Sequence, residues 1–243
     1  IFKLVQKLLL MIMKKKIFLN ERILVAGGSG MVGSAIIRKL NNNGYKKILC
    51  PTHKELDFLD INSVEKWFEI NKPTLVIIAA AKVGGILANS SYPKEFILDN
   101  IKIQNNIIET SWHHKVKRLL FLGSGCIYPK FAVQPIEEES LLTGQLEETN
   151  QWYAIAKISG IKLCEALRKQ YKFDAISLMP SNLYGPGDNY HPENSHVFAS
   201  LIRKFYLASK KSLPTVNCWG TGTPIREFLH VDDLAEAVLF TLQ

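Results

Sequence analysis

Residues 22–44 read RILVAGGSGMVGSAIIRKLNNNG, and this stretch constrains the fold more than any other. A short apolar run, RILVAG (22–27), meets a glycine-rich turn, and an amphipathic stretch follows that Gly44 closes. Strand, glycine turn and helix in that order open a dinucleotide-binding sheet. Gly27, Gly30 and Gly33 are spaced GxxGxxG, and Gly28, Gly30 and Gly33 are spaced GxGxxG. Glycines at these positions permit a tight turn and let backbone N–H groups approach a pyrophosphate at a helix N-terminus. Gly27, Gly28, Ser29, Gly30, Met31, Val32 and Gly33 are therefore candidate cofactor contacts.

The same alternation continues along the chain. KKILCP (46–51), TLVIIAAA (74–81), RLLFLG (118–123) and the start of AISLMPSNLYG (175–185) predict strands. Residues 64–72, 93–114 and 152–171 predict helices, and FLHVDDLAEAVLFTLQ ends the chain in a helix that packs back on the cofactor domain. Near-continuous apolar strands between helices indicate a parallel sheet covered on both faces. The expected fold class is α/β: a Rossmann-type doubly wound parallel sheet with a smaller C-terminal substrate domain. The expected boundaries are an N-terminal extension at 1–20, an NADP-binding domain at 21–185, part of a substrate domain at 186–227 and the returning helix at 228–243. The chain has 243 residues and is 47% apolar, enough for a sizeable core.

The net charge is +8, but it is concentrated at the start. Residues 1–22 hold Lys3, Lys7, Lys14, Lys15, Lys16 and Arg22 against only Glu21. The modest remaining excess suits an anionic small ligand and forms no nucleic-acid stripe. The opening apolar run is too short and too interrupted by lysine to span a bilayer. It lacks a small-residue cleavage site, so an extension ahead of a domain starting near Met13 is expected, with a surface anchor as the alternative. Cys50, Cys126, Cys164 and Cys218 are widely spaced, with no CxxC pair. That argues against a metal site or a disulfide framework, and for a reducing, cytoplasmic location.

The end of the second strand bears on cofactor choice. An NAD site usually places an acid there for the ribose 2′-hydroxyl. Here stand Cys50, Pro51, Thr52, His53 and Lys54, with no acid before Glu55. A 2′-phosphate would be attracted by Lys54 or a protonated His53, so NADP(H) is favoured.

Tyr153 and Lys157 lie four apart on a predicted helix, hence on one face. A neighbouring ammonium is expected to favour the phenolate and lower the tyrosine pKa. Such a tyrosine can exchange a proton with a substrate oxygen while hydride moves at the same carbon. Ser124, at a strand end upstream, can hydrogen-bond the same oxygen. Cys126 follows in GSGCIYPK (123–130), where strand ends present residues to ligands. Taken alone, Cys126 also fits a buried core thiol and His196 an ordinary loop histidine.

Glycine turn, Ser124, Tyr153 and Lys157 together resemble the extended short-chain dehydrogenase/reductases. Within them, AAAKVGGILANS (79–90), FLGSGCIYPK (121–130), MPSNLYGPGDNYHPENSHV (179–197) and WGTGTPIREFLHVDD (219–233) resemble the GDP-L-fucose synthase family. The resemblance implies 3,5-epimerisation and NADPH-dependent 4-keto reduction of a GDP-4-keto-6-deoxy-D-mannose substrate. It assigns Cys126 and His196 as the epimerisation pair. It assigns Leu122, Gly123, Lys157, Pro180, Ser181, Asn182 and Leu183 to the cofactor, and Lys204, Trp219 and Arg226 to the GDP-sugar. Core packing is the alternative for Trp219, and His191 and His230 read as structural. The resemblance further implies a homodimer paired through about 95–114 and 152–171, and a substrate domain continuing past Gln243. Two rivals stay open: another nucleotide-sugar epimerase or dehydratase of the superfamily, and a non-catalytic NADP-binding regulator.

Overall fold

The computed structural model describes residues 17–192 and 194–243. The extension expected at 1–20 therefore falls mostly outside the described residues. Its last part is described, and Ile17 packs against the core edge.

Five strands form one parallel sheet. They are β1 (Ile23–Ala26), β2 (Ile48–Leu49), β3 (Leu75–Ile78), β4 (Arg118–Leu122) and β5 (Ala175–Leu178), in the order β2-β1-β3-β4-β5. Between β1 and β3 the connections diverge to opposite edges. That switch point is where such sheets open a ligand crevice beyond the strand carboxyl ends. Alternation along the strands feeds two cores. Leu24, Ala26, Val76, Ile78, Leu119 and Phe121 face one side. Ile23, Val25, Leu75, Ile77, Leu120 and Leu122 face the other.

The first face is covered by α2 (Ile61–Asn71), α4 (Pro93–His113) and α5 (Gln151–Tyr171), which contribute Phe68, Ile107, Ile108 and Ile161. The Asp60 side chain caps α2 by accepting from the Asn62 amide. The second face is covered by α1 (Met31–Asn42) and α7 (Val231–Leu242). The chain's last helix packs on this face: Leu234, Val238 and Leu239 share a core with Ile36 and Leu40. Full burial of each such side chain contributes about 1.5–3 kcal/mol.

Four elements go beyond the pattern: the short α3 (Ile86–Ser91), α6 (Val197–Lys210), and a separate parallel pair, β6 (Asn182–Tyr184) with β7 (Phe228–His230). The expected strand at 46–51 shrinks to two residues, because β2 is an edge strand registered only on Ile23 and Leu24. The loop and strand after β5 lead into α6, and residues 213–227 run largely exposed.

Candidate active site

The glycine turn sits between β1 and α1, against Ala79 and Ala80 just past β3. Gly27 has φ +83, and a Cβ there would stand 2.6 Å from the Ala80 amide nitrogen. A Cβ on Gly33 would meet the Gly27 carbonyl oxygen at 2.1 Å, so α1 can start this close to the turn only with glycine. Gly28 is packed between Cys50 and Ile37. Gly30 caps α1 and differs: a Cβ there meets nothing nearer than 3.5 Å. Ser29 and Gly30 are exposed, while Met31 and Val32 anchor the turn on the core below. The first turn of α1 carries no acidic residue. Its free N–H groups and positive helix end thus face an open cradle of the kind a pyrophosphate fills.

At the end of β2, His53 is 82% exposed and lies 4.0 Å from Asp57. The nearest acid, Glu55, is taken locally: the Thr52 backbone N–H and hydroxyl donate to it at 2.7 and 2.9 Å, which lowers its pKa. Glu55 is thereby held within its own turn, and Asp57 beside His53 accepts from the Leu59 backbone N–H at 2.9 Å.

Beyond β4 the chain turns through a short 3-10 turn, Gly125–Ile127. Ser124 caps it, its Oγ accepting from the Cys126 amide at 3.3 Å. The same hydroxyl also hydrogen-bonds the Cys126 thiol, which ties Ser124 and Cys126 together. Gly123 and Gly125 tie the segment to the β5 exit, donating to the Leu178 and Pro180 carbonyls at 2.8 and 2.9 Å. Pro180 and Ser181 thus border the turn. Asn182 and Leu183 begin β6, where the Asn182 amide donates to the Glu227 carbonyl.

Helix α5 delivers Tyr153 and Lys157 to the same place. Gly160 lets α5 lie flush on the sheet, since a Cβ would meet Phe121 at 2.7 Å and Gln104 at 2.9 Å. Buried Gln104 grips the helix by donating to the Ala156 carbonyl at 2.6 Å. Lys157 is 3% exposed, and its Nζ donates to the Leu122 carbonyl at 2.7 Å. The same ammonium lies 4.7 Å from the Phe121 ring centroid and 5.6 Å from that of Tyr153.

The expectation that Lys157 lowers the Tyr153 pKa is overturned. Burial raises the phenol above its ordinary value, and a charged Cys126 would add to that. Lys157 itself is pulled down to about 8 by burial, opposed by Cys126. Desolvation is the largest influence on both groups. The Cys126 thiol is also raised by burial, against the Ser124 hydrogen bond and the Lys157 charge.

His196 stands at the N-cap position of α6, and its side chain makes no capping hydrogen bond there. Although the residue reaches solvent, the protein packed around its ring holds the imidazole below its ordinary value, opposed by Asp188. Asn194, just before it, rests on the β3–α3 loop: the Gly85 amide donates to the Asn194 carbonyl at 3.4 Å. Gly84 in that loop borders Phe96, whose ring meets the edge of Tyr153 at 6.5 Å.

Lys204 and Trp219 form a second group, with the ammonium 5.0 Å from the indole centroid. Trp219 is 77% exposed, so core packing does not explain it. Arg226 is exposed and donates to the Ile225 carbonyl. His230 is structural as expected: its Nδ1 caps α7 by accepting from the Asp232 amide. Pattern reading passed over Gly85, Asn89 and Asn100. The paired Gly84–Gly85 ahead of a six-residue helix was the available signal.

The family model described as "NAD dependent epimerase/dehydratase family" matches residues 23–243. The chain is 58% identical over 223 residues to GDP-L-fucose synthase 1 of Arabidopsis thaliana, spanning 92% of this chain and 69% of that protein. It is 52% identical over 224 residues to the GDP-L-fucose synthase of Escherichia coli, spanning 92% and 70%. Among solved structures it resembles a GDP-L-fucose synthetase from Naegleria fowleri bound to NADP. There the TM-score is 0.83 and the identity 32%, over 93% of this chain and 74% of that one.

Proposed function

The chain belongs to the NAD dependent epimerase/dehydratase family, and we propose that within it this protein converts GDP-4-keto-6-deoxy-D-mannose to GDP-L-fucose with NADPH. One observation carries the reading beyond a plain reductase. Cys126 stands one short turn from Ser124 and within electrostatic reach of Tyr153 and Lys157. A 4-epimerase or dehydratase has no use for a thiol there.

The Gly27–Gly33 turn fits NADP(H): the open side at Gly30 and the bare N-terminus of α1 would hold its pyrophosphate, and His53 would serve the adenosine side. Leu122, Gly123 and Pro180–Leu183 would line the nicotinamide side. When bound, this cofactor supplies the hydride for C4. Everything else is work for the chain's own groups. The substrate's C4 carbonyl acidifies the protons on C3 and C5. Cys126 and His196 exchange those protons, one taking from one face and the other returning to the opposite face. At rest this pair holds its proton on the thiol, since burial raises Cys126 and lowers His196. Ser124 donates to the C4 oxygen, and Tyr153 gives it a proton as hydride arrives. The raised phenol pKa suits Tyr153 to be a proton carrier at rest rather than a phenolate. Lys157 holds positive charge beside it. Lys204, Trp219 and Arg226 would receive the nucleotide diphosphate, through charge and ring stacking.

We further read α4 and α5 as the pairing face of a homodimer, supported by the outward apolar side chains Leu98, Trp152 and Ile155. Four free cysteines support a reducing, cytoplasmic setting. No described helix is long and apolar enough to cross a membrane.

The test is to supply GDP-4-keto-6-deoxy-D-mannose and NADPH, then identify the product. GDP-L-fucose formed with one NADPH oxidised per product is expected, and Cys126→Ser should lose the epimerised product. NADPH oxidation that leaves the D-configuration at C3 and C5, or no oxidation at all, would overturn the reading.

A further inference from the structure

The loop from Ala79 to Gly85 joins β3 to α3 and touches both halves of the site. Near its start, Ala80 backs the glycine turn at Gly27. Its middle is clamped by Asn100 of α4, which is 2% exposed. Asn100 Oδ1 accepts from the Lys82 amide at 2.8 Å, and its Nδ2 donates to the Lys82 carbonyl at 3.0 Å. At the far end stands Gly85, held by Asn89 of α3. Asn89 is 5% exposed, and its Nδ2 donates to the Gly84 and Gly85 carbonyls at 2.9 and 3.1 Å.

Gly85 adopts an ordinary extended conformation, with φ −67 and ψ −179, so its backbone does not require glycine. Space does. A Cβ built on Gly85 would lie 2.6 Å from the Ser195 carbonyl oxygen. That oxygen belongs to the peptide that leads directly into His196. The chain around Asn194–Ser195 is thus seated on the bare face of Gly85, with the Gly85 amide hydrogen-bonded to the Asn194 carbonyl.

We propose that Gly85 is a positioning residue for His196, a template whose missing side chain sets where the imidazole stands, with Asn89 as the clamp that holds the template. This rests on the proton-exchange role given to His196 above. An alanine methyl needs about 3.4 Å of clearance, so the Ser195–His196 peptide must retreat by most of an ångström. A misplacement near 1 Å costs a proton-transfer step on the order of 100-fold. Ser124, Tyr153 and Lys157 are placed by β4 and α5, not by this seat, so reduction at C4 is left in place. The template therefore governs epimerisation separately from reduction.

The experiment incubates each variant with GDP-4-keto-6-deoxy-D-mannose in heavy water and follows deuterium entering C3 and C5, alongside NADPH affinity and melting temperature. Gly85→Ala is expected to slow that uptake roughly 10- to 100-fold with NADPH affinity and melting temperature unchanged. Its product should shift toward the unepimerised alcohol. Asn89→Ala should move uptake in the same direction, and Val83→Ala, an exposed neighbour on the same loop, should leave it alone. Wild-type uptake in a folded Gly85→Ala would overturn the inference. So would a loss of NADPH affinity or melting temperature in step with uptake, which would make Gly85 merely structural. No uptake in the unmodified protein would sink the epimerase reading itself, and the inference with it.

Discussion

Lys157 is a buried ammonium with a single carbonyl partner, and its charge state follows from that setting. Burial pulls its pKa down to about 8, whereas Tyr153 and Cys126 are both raised. Lys157 is therefore the first of the three to lose its proton as pH rises. Its charge is present below about 8 and lost above it. The kcat/KM for keto-sugar reduction, which reports the free enzyme, should fall as pH climbs through that value. A profile that stays flat well past about pH 9 would show that the ammonium is not required. Spacing reveals that Tyr153 and Lys157 share a face, but not this order of titration. The order is set by how much protein surrounds each group: Phe121 lies under Lys157 and Phe96 against Tyr153, residues distant in sequence from the pair.

Helix α7 shows which contacts hold an element down. Its inner face buries Val231, Leu234, Ala235, Val238, Leu239 and Leu242 against α1 and the sheet. Its outer face adds ion pairs, Arg38 with Asp232 and Lys39 with Glu236. Those pairs are solvent-exposed, and pairs of that kind contribute about 0–1 kcal/mol. Leu239 is 4% exposed, and truncating such a side chain costs about 2–5 kcal/mol. Urea unfolding should therefore show a large loss for Leu239→Ala and a loss under about 1 kcal/mol for Asp232→Ala. Equal losses would mean that α7 is held by charge rather than by packing. This helix was legible in advance because its apolar residues recur at helical spacing. Helix α6 was not. Its only buried residues are Ala199 and Ala208, while Ile202, Phe205 and Tyr206 are exposed, so its apolar stripe does not mark an inner face.

Across the whole molecule, the central sheet was the legible part. Ile23–Ala26, Leu75–Ile78 and Arg118–Leu122 are fully buried strands, and continuous apolar runs announce strands buried on both faces. The pairing of β6 with β7 was not, because three-residue strands drawn from residues 182–184 and 228–230 carry no local periodicity. The candidate site divides in the same way. Ser124, Cys126, Tyr153 and Lys157 belong to strand ends and one helix face, and their convergence could be anticipated. The seat of His196 on Gly85 depends on a loop-to-loop contact across more than a hundred residues, and only the folded chain reveals it. The molecule joins proton exchange at two carbons with reduction at the carbon between them. The most direct measurement is the complete reaction in heavy water with unlabelled NADPH, followed by NMR of the nucleotide sugar. Deuterium at both C3 and C5 with protium at C4 is the expected pattern. Protium at C3 and C5 in the product would contradict the central claim and leave a simple reductase.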